Sequence, residues 1–216
     1  MTRIRPCVVI VAAILAILTA REAAAGPPTD QLKSAIDRVV KVVEDPSLKG
    51  DDRVAERRIA VRKIADDIFD FNEIARRALA RHWQPLTDKQ RAEFVSLFSD
   101  LLERSYMSKI ELYGGEKIQY VSERVDGETA TVATRIVTKN GTEVPIDYRL
   151  LKKGDRWLVY DVSIEGVSLV SNYRTQFNKI IQTGSFAALV QKLKAKQGEL
   201  SADDQSRGKD VTPVKR

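Results

Sequence analysis

Hydrophobic residues fall at helical spacing through the first half of the chain and alternate at every second position through much of the second half. Leu32, Ile36, Val39, Val40 and Val43 predict a first helix that Thr29 or Asp30 can cap and that Asp45-Pro46 ends. A second, basic helix is predicted from about Asp51 to Asp67. Asp70, followed three residues later by Glu73, opens a third that runs through Ile74 and Leu79 to His82. Gln84-Pro85-Leu86 breaks it. Thr87 with Gln90 makes another capping box, ahead of a long helix bearing Phe94, Leu97, Phe98, Leu101, Leu102, Tyr106 and Ile110.

At Gly114-Gly115 the period shortens to two. Strands are predicted over Lys117–Val125, Glu128–Lys139, Thr142–Leu151 and Arg156–Ile164, with turns at Asp126-Gly127, Asn140-Gly141 and Lys153-Gly154-Asp155. Pro145 points to an edge strand or a bulge. A further helix carries Leu169, Tyr173, Phe177, Ile180 and Ile181, Gly184 stops it, and Phe186–Lys196 makes a short last helix. Residues 197–216 are polar and expected to be disordered. The order implies an α+β fold: helices over about 29–113, a four-stranded curled antiparallel sheet over about 117–164, and closing helices over about 168–196. Such a sheet, wrapped by helices, can be filled solidly or can leave an apolar cavity.

The first 25 residues read differently. Arg3 and Arg5 precede an uncharged apolar run from Cys7 to Ala20, and Ala23-Ala24-Ala25 supplies small residues for cleavage. That 14-residue run falls short of the ~20 needed to span a bilayer, so an export signal is expected. Its removal would leave 191 residues without cysteine and lower the net charge from +6 to +4. No disulfide can then staple the domain, which must rely on its core. The charge suits an approach to anionic membrane surfaces but is too weak to indicate nucleic acid.

One cysteine and one histidine exclude most metal and nucleophilic sites. His82 sits at a helix end, where the dipole favours an imidazole. Asp147, Asp161 and Glu165 are the acids nearest the sheet, and they read more simply as solvated groups or partners of Arg135 and Arg149 than as acid–base catalysts. No phosphate loop, metal-ligand run or nucleophile elbow is present. Arg53, Arg57, Arg58, Arg62 and Lys63 make the second helix basic, a solvated face supported by Glu56, Asp66 and Asp67 or a surface for acidic partners.

Several segments carry a resemblance. They are Val144-Pro145-Ile146-Asp147-Tyr148-Arg149-Leu150, Trp157-Leu158-Val159-Tyr160-Asp161-Val162, Ile164-Glu165-Gly166-Val167-Ser168-Leu169 and Asn172-Tyr173-Arg174-Thr175-Gln176-Phe177. With Phe69-Asp70-Phe71, Ala75-Arg76-Arg77-Ala78-Leu79, His82-Trp83 and Leu86-Thr87, the stretch from about Asp30 to Lys196 resembles the MlaC family of periplasmic phospholipid-binding proteins, also called toluene-tolerance auxiliary proteins.

The resemblance implies a monomeric, non-enzymatic carrier in the periplasm with phospholipid as cargo and no cofactor. It also implies partners: an inner-membrane ABC transporter with an MCE-domain ring, and an outer-membrane lipoprotein–porin complex, together maintaining outer-membrane lipid asymmetry. Acyl chains would lie between the concave sheet face and the helices, with Phe94, Phe98, Leu101, Leu102, Tyr106, Val132, Ile136, Ile146, Tyr148, Val159 and Phe177 as lining candidates. The same periodicity serves a solid core equally well. The competing readings are a carrier of another apolar lipid such as a hopanoid, a small cavity enzyme using Asp161 or Asp147, and an adaptor without ligand.

Overall fold

In the computed structural model, which describes residues 26–207, the chain turns into helix α1 (Pro27–Glu44) directly after Gly26. Thr29 and Asp30, expected at its cap, lie inside it instead. Pro27 starts the helix because its fixed φ suits the first turn and no N–H is needed there. The cap comes from far away: one oxygen of Glu123 accepts from the Gly26 N–H (3.2 Å), the Thr29 N–H (2.8 Å) and the Thr29 hydroxyl (2.6 Å).

After a 3₁₀ turn at Pro46–Leu48 and another at Asp51–Arg53, α2 covers Val54–Ile68. Helix α3 (Phe71–Leu79) is capped by Asp70, which accepts from the Glu73 N–H at 3.0 Å. Glu73 does not complete the expected box, because its carboxylate is taken by Arg76 and Arg77. A 3₁₀ turn at Ala80–His82 follows, and α4 (Asp88–Glu111) opens with the full Thr87/Gln90 box.

Strands β1 (Lys117–Asp126), β2 (Thr129–Val137), β3 (Glu143–Lys153) and β4 (Arg156–Ile164) form an antiparallel meander in chain order. A fifth strand, β5 (Val167–Ser168), corrects the expected count of four. Glu165 and Gly166 both hold positive φ (50° and 80°), so the chain folds straight back onto Ser163 and Ile164. Two residues are too few for alternation to register.

Pro145 lies on β3, an interior strand, and not at an edge or bulge. It is tolerated because the last β3–β4 pair is Ile146 with Ile164, and beyond it the Pro145 carbonyl accepts from the Glu165 N–H. The bulges fall at Val121 and Tyr160, where the register slips by one residue and the sheet curls.

Ser168 caps α5 (Leu169–Thr183), and α6 runs over Phe186–Arg207. The final helix therefore continues past Lys196, where a disordered tail was expected. Once Leu189, Val190 and Leu193 are packed, the following Gln, Glu, Leu and Ala residues propagate the helix despite their polar average. The expected export signal, residues 1–25, and residues 208–216 lie outside the described residues. No helix among the described residues is long and apolar enough to cross a membrane.

Two cores result. One joins α3, α4, α5 and α6 around Phe94, Phe98 and Phe177, whose ring centroids stand 5.0–5.6 Å apart. The other packs Leu32, Ala35, Ile64 and Ile68 of α1 and α2 on Ala130, Val132, Leu150, Trp157 and Val159 of the sheet. The link between α2 and α3 ties them together, since Phe69 bridges to Val159 and the Asp70 N–H bonds the Val159 carbonyl at 2.9 Å.

Replacing Glu123 with Ala should remove the remote cap and lower the unfolding free energy by about 1–2 kcal/mol in urea titrations. An unchanged stability would mean that α1 needs no such partner.

Candidate functional site

Between the two cores lies a cavity of about 730 Å³. Helix α1 contributes Ile36, Val39, Val40 and Val43, α2 contributes Val61 and Ile64, and α5 contributes Leu169, Val170 and Tyr173. The sheet adds Ile118, Thr134, Ile136, Val144, Ile146, Tyr148, Val162 and Ile164. On α4 the lining begins at Phe98 and continues past the helix end to Leu112 and Tyr113. At ~1.5 Å per residue the stretch from Phe98 to Leu112 spans roughly 20 Å.

The two ends differ. On β3 the lining residues Val144, Ile146 and Tyr148 alternate inward, and the next inward position, Leu150, belongs to the solid core. The floor therefore lies near Tyr148, Leu32 and Phe98. The mouth lies where Val43, Leu112, Tyr113, Ile118, Val144 and Ile164 converge, with Leu112 81% exposed.

Polar groups on the wall are mostly committed. Thr134 donates its hydroxyl to the Ile146 carbonyl at 3.0 Å. Asp161, 4% exposed, accepts from the Ser168 hydroxyl (2.6 Å) and the Val170 N–H (3.1 Å) and faces Arg149 at 3.4 Å. It holds the start of α5 and is buried, not solvated, while its pairing with Arg149 is the partnership expected. Asp147 does not line the cavity, whereas Glu165 borders it from an exposed turn. Burial pushes the Tyr148 phenol up to about 12. The same cause raises Tyr106, and raises Tyr173 despite its hydrogen bond with Ser105.

The flank between α2 and α4 is closed by charge. Arg57 and Arg58 reach Glu111 at 3.2 and 3.4 Å, while Arg62 pairs with both Glu103 and Asp66. The basic helix thus leans on acids of α4 as well as on its own. Asp67, expected among its supports, pairs instead with Arg38 (2.6 Å) and Arg156 (2.7 Å). The first-named contact, Arg38, holds the Asp67 carboxyl below its ordinary range. Arg135 pairs with Glu143 at 3.0 Å.

Of the eleven lining candidates, Phe98, Leu102, Tyr106, Ile136, Ile146 and Tyr148 border the cavity. The other five do not. Phe94 and Phe177 sit within the aromatic cluster and Leu101 packs against it. Val132 and Val159, both 0% exposed, lie under α1 and α2. Helix α4 touches neighbours on two sides, so its single apolar stripe divides between core and cavity. Likewise β2 keeps one face inward, but α1 and α2 cover Val132 and leave Ile136 open.

Val39, Val40, Val43, Ile64, Ile118, Val144 and Ile164 were not among the candidates. Their signal was the unbroken apolar stripe of α1, the helical spacing of Val61, Ile64 and Ile68 on α2, and the apolar strand ends near Gly115, Gly141 and Gly166. His82 lies on the outside, with Nε2 3.0 Å from the Asn178 side-chain oxygen. Among the described residues no cluster of His, Cys, Asp or Glu could hold a metal ion.

Comparison with known proteins gives concordant matches. The family model for MlaC proteins matches residues 33–195. The intermembrane phospholipid transport system binding protein MlaC of Haemophilus influenzae is 26% identical over 122 residues, 54% of this chain and 57% of that protein. The toluene tolerance protein ttg2D of Pseudomonas putida is 24% identical over 131 residues, 57% of this chain and 58% of that protein. The chain thus spans a little over half the length of these curated relatives. A phospholipid-binding protein from Ralstonia solanacearum, solved in complex with a phospholipid, superposes with a TM-score of 0.72 at 27% identity, covering 82% of this chain and 99% of that one.

A raised phenol favours the folded state below pH 10, the ordinary tyrosine range, and that advantage is lost as pH rises through about 12. Unfolding free energy should therefore fall between pH 10 and 12, by up to about 3 kcal/mol from Tyr148. Tyr148→Phe should flatten part of that decline. An identical pH profile for both proteins would show that the phenol is not enclosed.

Proposed function

The chain belongs to the MlaC family, and from that premise we propose that it carries phospholipid between the two membranes of the envelope, as bound cargo and with no cofactor. The observation that carries this reading is the cavity: apolar, open at one end and roughly 20 Å deep along α4. A bilayer's hydrocarbon core is ~30 Å thick, so one acyl layer is about 15 Å. Chains entering tail-first would fit that depth, with the headgroup left at the mouth near Lys109.

A two-chain lipid with ~30 buried CH₂ groups faces a gross barrier of ~24 kcal/mol on entering water. A slot about as apolar as the bilayer removes that barrier and keeps loading and unloading near balance. Such work needs no base or nucleophile, which agrees with the committed state of Asp161. Phe98, Leu102, Tyr106, Ile136, Ile146 and Tyr148, joined by Val39, Val40 and Val43, are the lipid contacts in this reading. The working protein is the domain of residues 26–196, placed in the periplasm after loss of the export signal at 1–25. It receives and delivers lipid at an inner-membrane ABC transporter with an MCE-domain ring and an outer-membrane lipoprotein–porin complex.

Native mass spectrometry and lipid extraction of the exported protein test this directly, and they separate phospholipid from a hopanoid or other apolar cargo. Val40→Trp with Ile146→Trp should cut the lipid-bound fraction about tenfold while the fold persists, because each indole occupies volume the chains need. Ile59→Trp, on the outer surface of α2, should leave it unchanged. Repeated recovery without lipid, together with no uptake from phospholipid vesicles, would overturn the proposal.

A further inference from the structure

Acidic residues are missing from two stretches of this otherwise mixed chain. Residues 74–87 and 166–198 hold eight Lys and Arg and no Asp or Glu, while the rest of residues 26–207 carries 22 Lys and Arg against 28 Asp and Glu. The fold brings the two stretches together by packing α3 on α5 and α5 on α6. Arg81 donates to the Asn178 side-chain oxygen at 2.8 Å, and Arg174 donates to the Arg77 carbonyl at 2.9 Å. Both contacts are with neutral groups, so they fix the guanidiniums in place without cancelling their charge.

The Arg77 guanidinium lies 3.9 Å over the Tyr160 ring. On α3, Arg76 and Arg77 share Glu73, and on α6 Lys194 pairs with Glu93 and Lys196 with Glu199. Arg81, Arg174 and Lys179 are exposed and have no carboxylate partner among the described residues.

We infer that this α3–α5 face is a docking surface for an Asp- and Glu-rich surface of a partner protein. Two features favour a protein over a membrane. The guanidiniums are fixed by neighbouring groups, and a planar fork of N–H donors matches a carboxylate held in a folded surface. None of the large exposed hydrophobic residues, Ile59, Leu112, Val121, Val125 and Val167, lies on α3 or α5, whereas adsorption to lipid uses apolar residues beside the cations. The acidic remainder of the domain would orient the molecule, turning this face toward a negative partner during encounter. The face also stands apart from the cavity, since Arg76, Arg77, Arg81, Arg174 and Lys179 do not line it. Docking there leaves the mouth uncovered, and the inference holds whatever the cavity carries.

The test compares the exported protein with Arg81→Glu/Arg174→Glu and with Arg124→Glu/Lys152→Glu, which makes the same charge change on β1 and β3. Immobilised poly-L-glutamate is the protein-like probe, and equimolar phosphatidylglycerol–phosphatidylethanolamine vesicles are the lipid probe. The α3–α5 variant should bind poly-L-glutamate about tenfold more weakly, and the β1/β3 variant within about twofold of the parent. Lys179→Glu, which breaks no hydrogen bond, should weaken binding about threefold even if the double variant does not fold. Equal losses in both double variants would overturn the inference, because net charge alone would then explain binding. Vesicle binding abolished by Arg81→Glu/Arg174→Glu, with poly-L-glutamate binding intact, would overturn it in favour of a lipid surface.

Discussion

Protein interiors are normally packed to the density of organic crystals, with few voids larger than a water molecule. This domain keeps two close-packed cores apart and leaves an apolar volume of about 730 Å³ between them. Everything else in the fold serves that separation. The bulges at Val121 and Tyr160 curl the sheet so that its far end stands away from the helices. Helix α4 spans both regions, rooted in the aromatic cluster at Phe94 and Phe98 and overhanging the cavity from Leu102 to Ile110.

An open apolar volume forfeits the contacts its walls would otherwise make with each other, so those walls have to be held from outside it. Remote polar ties do this here. Glu123 fastens the start of α1 to β1, Asp161 fastens the start of α5 to β4, and Lys153 pairs with the buried Asp70 at the head of α3. Along the α2–α4 flank the ties are arginine–glutamate pairs, with Arg57, Arg58 and Arg62 reaching across to Glu111 and Glu103. Such pairs bridge a gap that shorter apolar side chains could not, because their aliphatic stems cover the apolar edge while the charged ends meet, part-buried, across it.

Local chemistry was legible in the sequence wherever the partner lay a few residues away. The Thr87/Gln90 box, the Asp70 cap and the turns at Gly127 and Gly141 are short-range features and stand where the residue pattern puts them. The α+β order was equally legible, since a change of period from 3.6 to 2 survives averaging over many residues. What could not be read depended on distance. Nothing near Thr29 announces Glu123, and nothing in Glu165-Gly166 distinguishes a loop into a helix from a two-residue strand.

The candidate site was half legible for the same reason. Periodicity says that Ile136 and Val132 share a face but not that α1 and α2 pack down on Val132 and stand off from Ile136, and it cannot divide α4 into a core side and a cavity side. The shared family segments located the cavity-forming region, and only the three-dimensional packing separated Tyr148 and Ile146 from Val159 and Phe177.

The anchoring of α1 has a mechanical side. Its side-chain hydrogen bonds and ion pairs to the rest of the described residues, through Thr29 to Glu123, through Gln31 to Asp155 and Trp157, and through Arg38 to Asp67, fall in the first twelve residues of the helix. Val39, Val40 and Val43 project beyond the last of them, over the mouth. At the mouth the helix is held by the 3₁₀ turn at Pro46–Leu48, whose Leu48 carbonyl accepts from Arg57. Between these two supports its cavity face, Leu32, Ala35, Ile36, Val39, Val40 and Val43, is wholly apolar, so an apolar molecule sliding along it would break no hydrogen bond.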